Sequence, residues 1–199
     1  MNSMEQIRDK LKYKTVGIAG AGGLGSNCAQ ALVRVGVGHI IIADFDVVEV
    51  SNLNRQFYFY NQIGTPKVIA LKENLLRIDP KASVSSIHTK LSPDNLIRYF
   101  ACCDVVVEAF DLAVMKQMLI ETMAEQLPHI PVVCGLGMAG WGNSDKIRMQ
   151  KLGNLHICGD QESEVSEMLP PLAPRVLMVS GMEANEVLAI LLNDFSIEL

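Results

Sequence analysis

The sequence contains no C-x-x-C pair, no apolar run of membrane-spanning length and no surplus of basic residues. Its five cysteines, Cys28, Cys102, Cys103, Cys134 and Cys158, are odd in number and lack ligand spacing, which argues against a disulfide framework or a structural zinc site. Cys28 shares a helical face with Leu24, Ala31, Leu32 and Val35 and reads as core; most of the other cysteines are expected to act as small buried hydrophobes. The histidines, His39, His88, His129 and His156, also lack metal-ligand spacing. A formal net charge of −5 sets the chain apart from nucleic-acid binders, which carry basic patches. No stretch reaches the roughly 18–20 apolar residues of a membrane span, and the polar N-terminal segment MNSMEQIRDKLKYK has no signal-peptide core. These absences lead to the expectation of a cytoplasmic protein with neither a nucleic-acid nor a membrane partner. With no repeat, low-complexity tract or linker, residues 1–199 are expected to form a single domain.

What is present is an alternation of short β-branched runs with longer helical segments. Strands are expected at 15–20, 39–44, 83–88, 104–109 and 130–135, and helices at 24–35, 66–77 and 114–127. A short helix opens at SPDN (92–95), with Ser92 as N-cap and Pro93 in the first helical position. After Gly135 the pattern changes. GLGMAGWGNS, with four glycines and the only tryptophan, reads as an irregular loop; DKIRMQ and NLHIC, joined at Gly153, read as a hairpin. PPLAPRV then punctuates the chain before a final helix, about 176–192, that is apolar on nearly every face and so must be buried in the domain or against a partner. The expected fold is α/β and Rossmann-like: a mostly parallel, doubly wound sheet with a C-terminal hairpin and a final buried helix.

The first strand runs into GAGGLGS, placing Gly20, Gly22, Gly23 and Gly25 in a G-x-G-x-x-G turn that lets backbone approach a phosphate at a helix N-terminus. Asp44 closes the second strand, where an acid accepts hydrogen bonds from ribose hydroxyls. These features alone fit an NAD-dependent oxidoreductase. The next residues point elsewhere: SNLNRQ (51–56) places Asn52, Arg55 and Gln56 at a ligand-facing strand end, and arginine offers a planar charged fork to phosphate oxygens. Lys67, in the first turn of a helix, opposes the helix dipole, which makes sense if a polyphosphate sits there. Asp111, past the fourth strand, suits Mg²⁺ bridging phosphates. Each has a plainer alternative: Arg55 in a polar loop, Lys67 as a surface charge, Asp111 as a helix cap.

Together, GAGGLGS (20–26), the DFD of 44–46, SNLNRQ (51–56), PK (66–67) and the Asp of EAFD (108–111) resemble the ThiF/MoeB/HesA family, relatives of ubiquitin-activating enzymes, over roughly residues 15–135. APRVLMVSGMEANEV (173–187) resembles that family's terminal helix, and the length and HICGD are most similar to short ThiF-type proteins of thiamine biosynthesis. The resemblance implies an adenylyltransferase that uses ATP and Mg²⁺ on the Gly-Gly carboxylate of a ubiquitin-like, ThiS-like sulfur carrier protein, and a homodimer. It assigns the glycine turn to the phosphates, Asp44 to the ribose, Asn52, Arg55, Gln56 and Lys67 to the triphosphate, and Asp111 to Mg²⁺. Arg55, Lys67 and Asp111 are its implied catalytic set. Two other readings stay open: the oxidoreductase, and a non-catalytic nucleotide-binding member. The chain departs from larger relatives in lacking their paired C-x-x-C motifs and in having Arg8 as the only arginine before the first strand.

Overall fold

The computed structural model describes residues 3–193. A helix, α1 (Ser3–Leu11), precedes β1 (Thr15–Ala19), α2 (Gly23–Val35) and β2 (His39–Asp44). Two short 3₁₀ turns at Val50–Asn52 and Tyr60–Gln62 lead to α3 (Lys67–Ile78), followed by β3 (Ser83–His88), α4 (Pro93–Phe100), β4 (Val105–Glu108), α5 (Ala113–Gln126) and β5 (Val132–Gly135). A hairpin of β6 (Arg148–Leu152) and β7 (Leu155–Gly159) and a long α6 (Ala173–Leu191) are the last strands and helix among the described residues.

The strands form one sheet in the order β3-β2-β1-β4-β5-β7-β6, parallel except for β6. From β1 the chain proceeds outward through β2 and β3, then returns to β4 on the other side of β1. The crevice beyond the carboxyl ends of β1 and β4 is therefore the switch point where such sheets bind ligands. Those ends are level, because Ala19 pairs with both Ala43 and Glu108.

Alternation along the strands feeds two cores. Val16, Ile18, Ile40, Ile42, Val105 and Val107 pack with Leu24 and Leu32 of α2, Leu71 of α3 and Val179 of α6. Ile41, Val106 and Val132 point the other way, against Phe100 of α4 and Leu119 and Met123 of α5. A strand residue reaches the opposite face from its neighbour, so near-continuous apolar runs are what a sheet covered on both faces requires. Helix α2 stops at Gly36, whose φ of 97° is the left-handed C-terminal cap a side chain would strain. Ser92 and Asn95 close the start of α4 as expected, with the Ser92 N–H donating to Asn95 Oδ1 at 2.8 Å.

Helix α6 differs from expectation in two ways. Helix α6 begins at Ala173 rather than 176, because Pro174 lies in its first turn, where a missing N–H costs nothing. That helix is also less apolar than its sequence reads: Leu177 and Met178 are exposed, while Arg175 and Glu183 are buried. Four of the five cysteines are buried, with Cys102 exposed. No helix among the described residues is long and apolar enough to cross a membrane.

Glu183 carries a testable consequence. It is fully buried beneath Gly135, and neither of its oxygens has a hydrogen-bond partner. Burial pushes its carboxyl well above the usual range, against the pull of the Lys116 charge, and Glu108 adds to the rise. Cys28, Cys134 and Cys158 also lie close enough to feel its charge. Folded Glu183 therefore keeps a proton that the unfolded chain releases near the ordinary value of about 4.3. Its contribution is fully present below that value and is lost as pH rises through the raised folded pKa. Glu183→Gln, which keeps the shape and the neutral state, is expected to flatten this dependence. Thermal unfolding of the two proteins between about pH 5 and pH 8 checks it, the variant gaining on the native chain toward the alkaline end.

Candidate active site

At the switch point lies a cavity of about 610 Å³, within the usual range for a small-molecule site. It brings together Gly20, Gly22, Gly23, Asp44, Arg55, Gln56, Lys67 and Asp111, residues spread over 92 positions of the chain. Two sequence-derived candidates, Gly25 and Asn52, are not part of its lining.

The glycines divide the labour of the turn. Gly20 has φ 101°, and a Cβ there would sit 2.7 Å from the Ala109 carbonyl oxygen. A Cβ on Gly22 would meet only Gln56 Nε2, at 3.9 Å, so this position opens to the cavity. Gly23 begins α2 and presses on Val176 of α6, whose Cγ1 would lie 3.0 Å from its Cβ. Gly25 faces inward, where a Cβ would fall 1.9 Å from the Gly20 carbonyl oxygen; its role is helix–strand packing.

Asp44 ends β2 with both carboxylate oxygens engaged by backbone. Oδ2 accepts from the Ala21 N–H at 2.6 Å and Oδ1 from the Asp46 N–H at 2.7 Å. The acid thus ties the glycine turn to the loop after β2 while still lining the cavity. Asn52, like Gly25, lies outside the cavity lining. It is buried in the first 3₁₀ turn, and its Oδ1 accepts from the Glu49 N–H at 3.0 Å. Its backbone carbonyl accepts from the N–H groups of Arg55 and Gln56, so Asn52 shapes the turn that presents them.

Arg55 reaches the cavity from that turn, with Nη1 donating to the Ser51 carbonyl at 3.0 Å and to Asn54 Oδ1 at 2.7 Å. Two neutral acceptors hold the guanidinium without neutralising it, which leaves its charge for a ligand. Gln56 Oε1 is buried with no hydrogen-bond partner, an unmet demand beside the glycine turn. Lys67 is the first residue of α3 and is 7% exposed. Its Nζ donates to Asp46 Oδ2 at 2.8 Å, which offsets the unfavourable dipole and gives Asp46, the last of the 44–46 triplet, a definite task.

Asp111 is exposed at the cavity rim and does not cap α5, whose N-cap is Leu112 without a side-chain bond. The turn that carries it is held by Glu108. Glu108 Oε1 accepts from the Phe110 N–H at 2.7 Å, and Oε2 accepts from Lys116 Nζ at 2.8 Å. Burial pushes the Glu108 carboxyl up while Lys116 draws it back. Among the described residues no three His, Cys, Asp or Glu side chains group as a metal cage. A single carboxylate facing a phosphate site is the arrangement Mg²⁺ uses when phosphates and water supply most of its ligands, so Asp111 fits that ion.

Sequence reading missed the far wall. Phe45 and Lys90, after β2 and β3, line the cavity, with Lys90 Nζ 5.8 Å from the Phe45 ring centre. Val165 and Pro171 reach it from the 160–172 segment, which is pinned by a buried ion pair between Asp160 and Arg175. Arg175 also donates to the Gly142 carbonyl, so one side chain joins both irregular loops to the first turn of α6. A cation in a helix's first turn is the same anomaly that singled out Lys67, and it was the available signal. Cys158 is fully buried and burial pushes its thiol up, which disfavours the thiolate form a nucleophile needs. Burial likewise raises Cys134, to about 12.

A doubly wound sheet, a glycine turn at its switch point and a cleft lined by Arg55, Lys67 and Lys90 alongside three aspartates define a Rossmann-type nucleotide-binding protein. Comparison with known proteins narrows the class. The model of the ThiF family matches residues 2–198, and the chain belongs to that family. It is 31% identical over 151 residues to the tRNA threonylcarbamoyladenosine dehydratase of Bacillus subtilis (strain 168), covering 74% of this chain and 58% of that protein. It is 36% identical over 105 residues to the sulfur carrier protein adenylyltransferase of Thermus thermophilus, covering 52% of this chain and 39% of that protein. The chain thus spans less than two thirds of either relative. In fold it is similar to the E. coli tRNA N6-threonylcarbamoyladenosine dehydratase in complex with ATP, at TM-score 0.85 and 22% identity, over 96% of this chain and 90% of that one.

Proposed function

We propose that the chain is an ATP-dependent adenylyltransferase that activates the C-terminal Gly-Gly carboxylate of a ubiquitin-like sulfur carrier protein. The observation that carries this reading is the convergence of Arg55, Gln56, Lys67 and Asp111 on the glycine turn in one cavity. A hydride-transfer enzyme would leave those charges idle. The sulfur carrier protein adenylyltransferase among the relatives supports the substrate class.

The chemistry follows from the residue types. The carrier's carboxylate, already ionised at neutral pH, attacks the α-phosphorus of ATP; the α–β bridging P–O bond breaks and pyrophosphate leaves with its electrons. An acyl-adenylate remains, and no general base is needed. Gly22 and Gly23 amides and the α2 N-terminus receive phosphate oxygens. Arg55 and Lys67 stabilise the charge that gathers on the leaving pyrophosphate. Asp44 accepts from the ribose hydroxyls, and Gln56 stands on the triphosphate side beside Gly22. Mg²⁺ at Asp111 would supply further charge neutralisation on the phosphates.

A second reading has a specific observation behind it: two of the similar proteins act on tRNA, whose threonylcarbamoyl group also ends in a carboxylate. The net charge of −5, with Glu162, Glu164 and Glu167 in the segment that carries Val165 to the cavity, favours a protein partner over RNA. Incubation with ATP and either a Gly-Gly-ending carrier or threonylcarbamoyladenosine-containing tRNA separates them. Carrier-dependent release of pyrophosphate, with a carrier-AMP mass adduct, is expected; release dependent on the tRNA alone would transfer the assignment to RNA. We place the enzyme in the cytoplasm, in thiamine thiazole biosynthesis, as a homodimer. Exposed Leu177 and Met178 on α6 support the homodimer. Light scattering at micromolar concentration is expected to give twice the chain mass, and a monomer mass would contradict it.

A further inference from the structure

Tyr58 lies two residues beyond the Arg55–Gln56 pair and is 6% exposed, so its ring belongs to the core and its hydroxyl must find a partner there. It donates to the Ala21 carbonyl at 2.7 Å, across 37 residues of sequence. The Lys67 carbonyl is a more distant acceptor at 3.4 Å. Ala21 is itself fully buried, and its N–H is taken by Asp44 Oδ2 at 2.6 Å. Both polar groups of Ala21 are therefore fixed by side chains, although neither belongs to a strand or helix ladder.

Peptide planarity carries this constraint to the next residue. In a trans peptide the carbonyl of one residue and the N–H of the next point in opposite directions, and no peptide in the described chain is cis. Holding the Ala21 carbonyl toward the core thus turns the Gly22 N–H away from it. Gly22 is the glycine beside which a Cβ would find open space, with only Gln56 Nε2 at 3.9 Å, and it lines the cavity. We infer that Tyr58 is a positioning residue for the nucleotide: its hydroxyl, by holding the Ala21 carbonyl, aims the Gly22 N–H at a phosphate oxygen in the cavity. Tyr58 touches no ligand itself; it acts through one peptide plane. The inference rests on the nucleotide reading given above and adds to it the group that orients the glycine turn.

The effect should be confined to phosphate. Tyr58→Phe keeps the ring and removes one hydrogen bond, so the turn loses its fixed orientation without a cavity being opened. Calorimetric titration of the whole chain is expected to show ATP bound about 5–10-fold more weakly by the variant. Adenosine, which has base and ribose but no phosphate, is expected to bind both proteins equally. A merely structural role would weaken both ligands together or neither, and either outcome overturns the inference. A native chain that binds no ATP overturns the nucleotide reading along with it; native binding with an unaffected variant overturns this inference alone. Amide spectra of the native chain give an independent check. The Gly22 N–H resonance is expected to shift on addition of ATP and stay in place with adenosine, and an unmoved resonance contradicts the proposal whether or not the variant folds.

Discussion

Arg55→Ala is expected to lower ATP–pyrophosphate exchange by about 10²–10³-fold, the usual loss when one preorganised charge-stabilising donor is removed. The loss should appear mainly in the rate at saturating ATP, because charge on the leaving pyrophosphate builds up in the transition state. The fold has little reason to respond. Arg55 is half-buried, and the contacts that anchor its turn are made by backbone: its N–H donates to the Asn52 carbonyl, and its own carbonyl accepts from Asn27 Nδ2 at 2.9 Å. Alanine keeps both. Arg55→Lys should recover only part of the rate, since an ammonium carries the charge without the planar fork. Exchange rates measured beside thermal unfolding of all three proteins test this, and an Arg55→Ala enzyme with native exchange would remove Arg55 from the chemistry.

Arg175→Ala is expected to have the largest effect on stability. The side chains of Arg175 and Asp160 are 4% and 6% exposed, and removing one partner of so buried a pair typically costs about 3–5 kcal/mol. Asp160 would keep its bonds from the Glu162 and Ser163 N–H groups, which places the cost near the lower end of that range. For a chain of this size, differential scanning calorimetry should register a fall in Tm of about 6–12 °C. The double variant Asp160→Leu/Arg175→Met should be less destabilised than the sum of its single variants, because it leaves no charge unpaired. Additive losses would show that the two side chains act separately. Because Val165 and Pro171 belong to the segment that this pair pins, Arg175→Ala should also weaken ATP binding.

The inner strands β1, β2, β4 and β5 were legible because they are buried on both faces and so read as near-continuous apolar runs, while edge strand β3 was legible from the alternation of SVSSIH. The site was legible where a residue type was out of place for local reasons: a lysine at the start of α3, or an arginine between amides after a strand. Gly25 and Asn52 belong to the same motifs as true lining residues. Sequence spacing places them near a ligand, while packing at 1.9 Å from a carbonyl oxygen and a bond to the Glu49 N–H decide their direction. The Asp160–Arg175 pair and Glu183 were hidden for another reason. An ionisable residue within an apolar helix reads as a solvent-facing one until the elements packed around it are in place.

Exchange of labelled pyrophosphate into ATP is the direct mark of a reversible acyl-adenylate. The native chain, given Mg²⁺ and a Gly-Gly-ending carrier, is expected to build label into ATP, to stop when the carrier's terminal glycine is removed, and to stop in Asp111→Ala. No exchange with any carboxylate substrate, together with saturable NADH binding in the same cavity, would contradict adenylyl transfer.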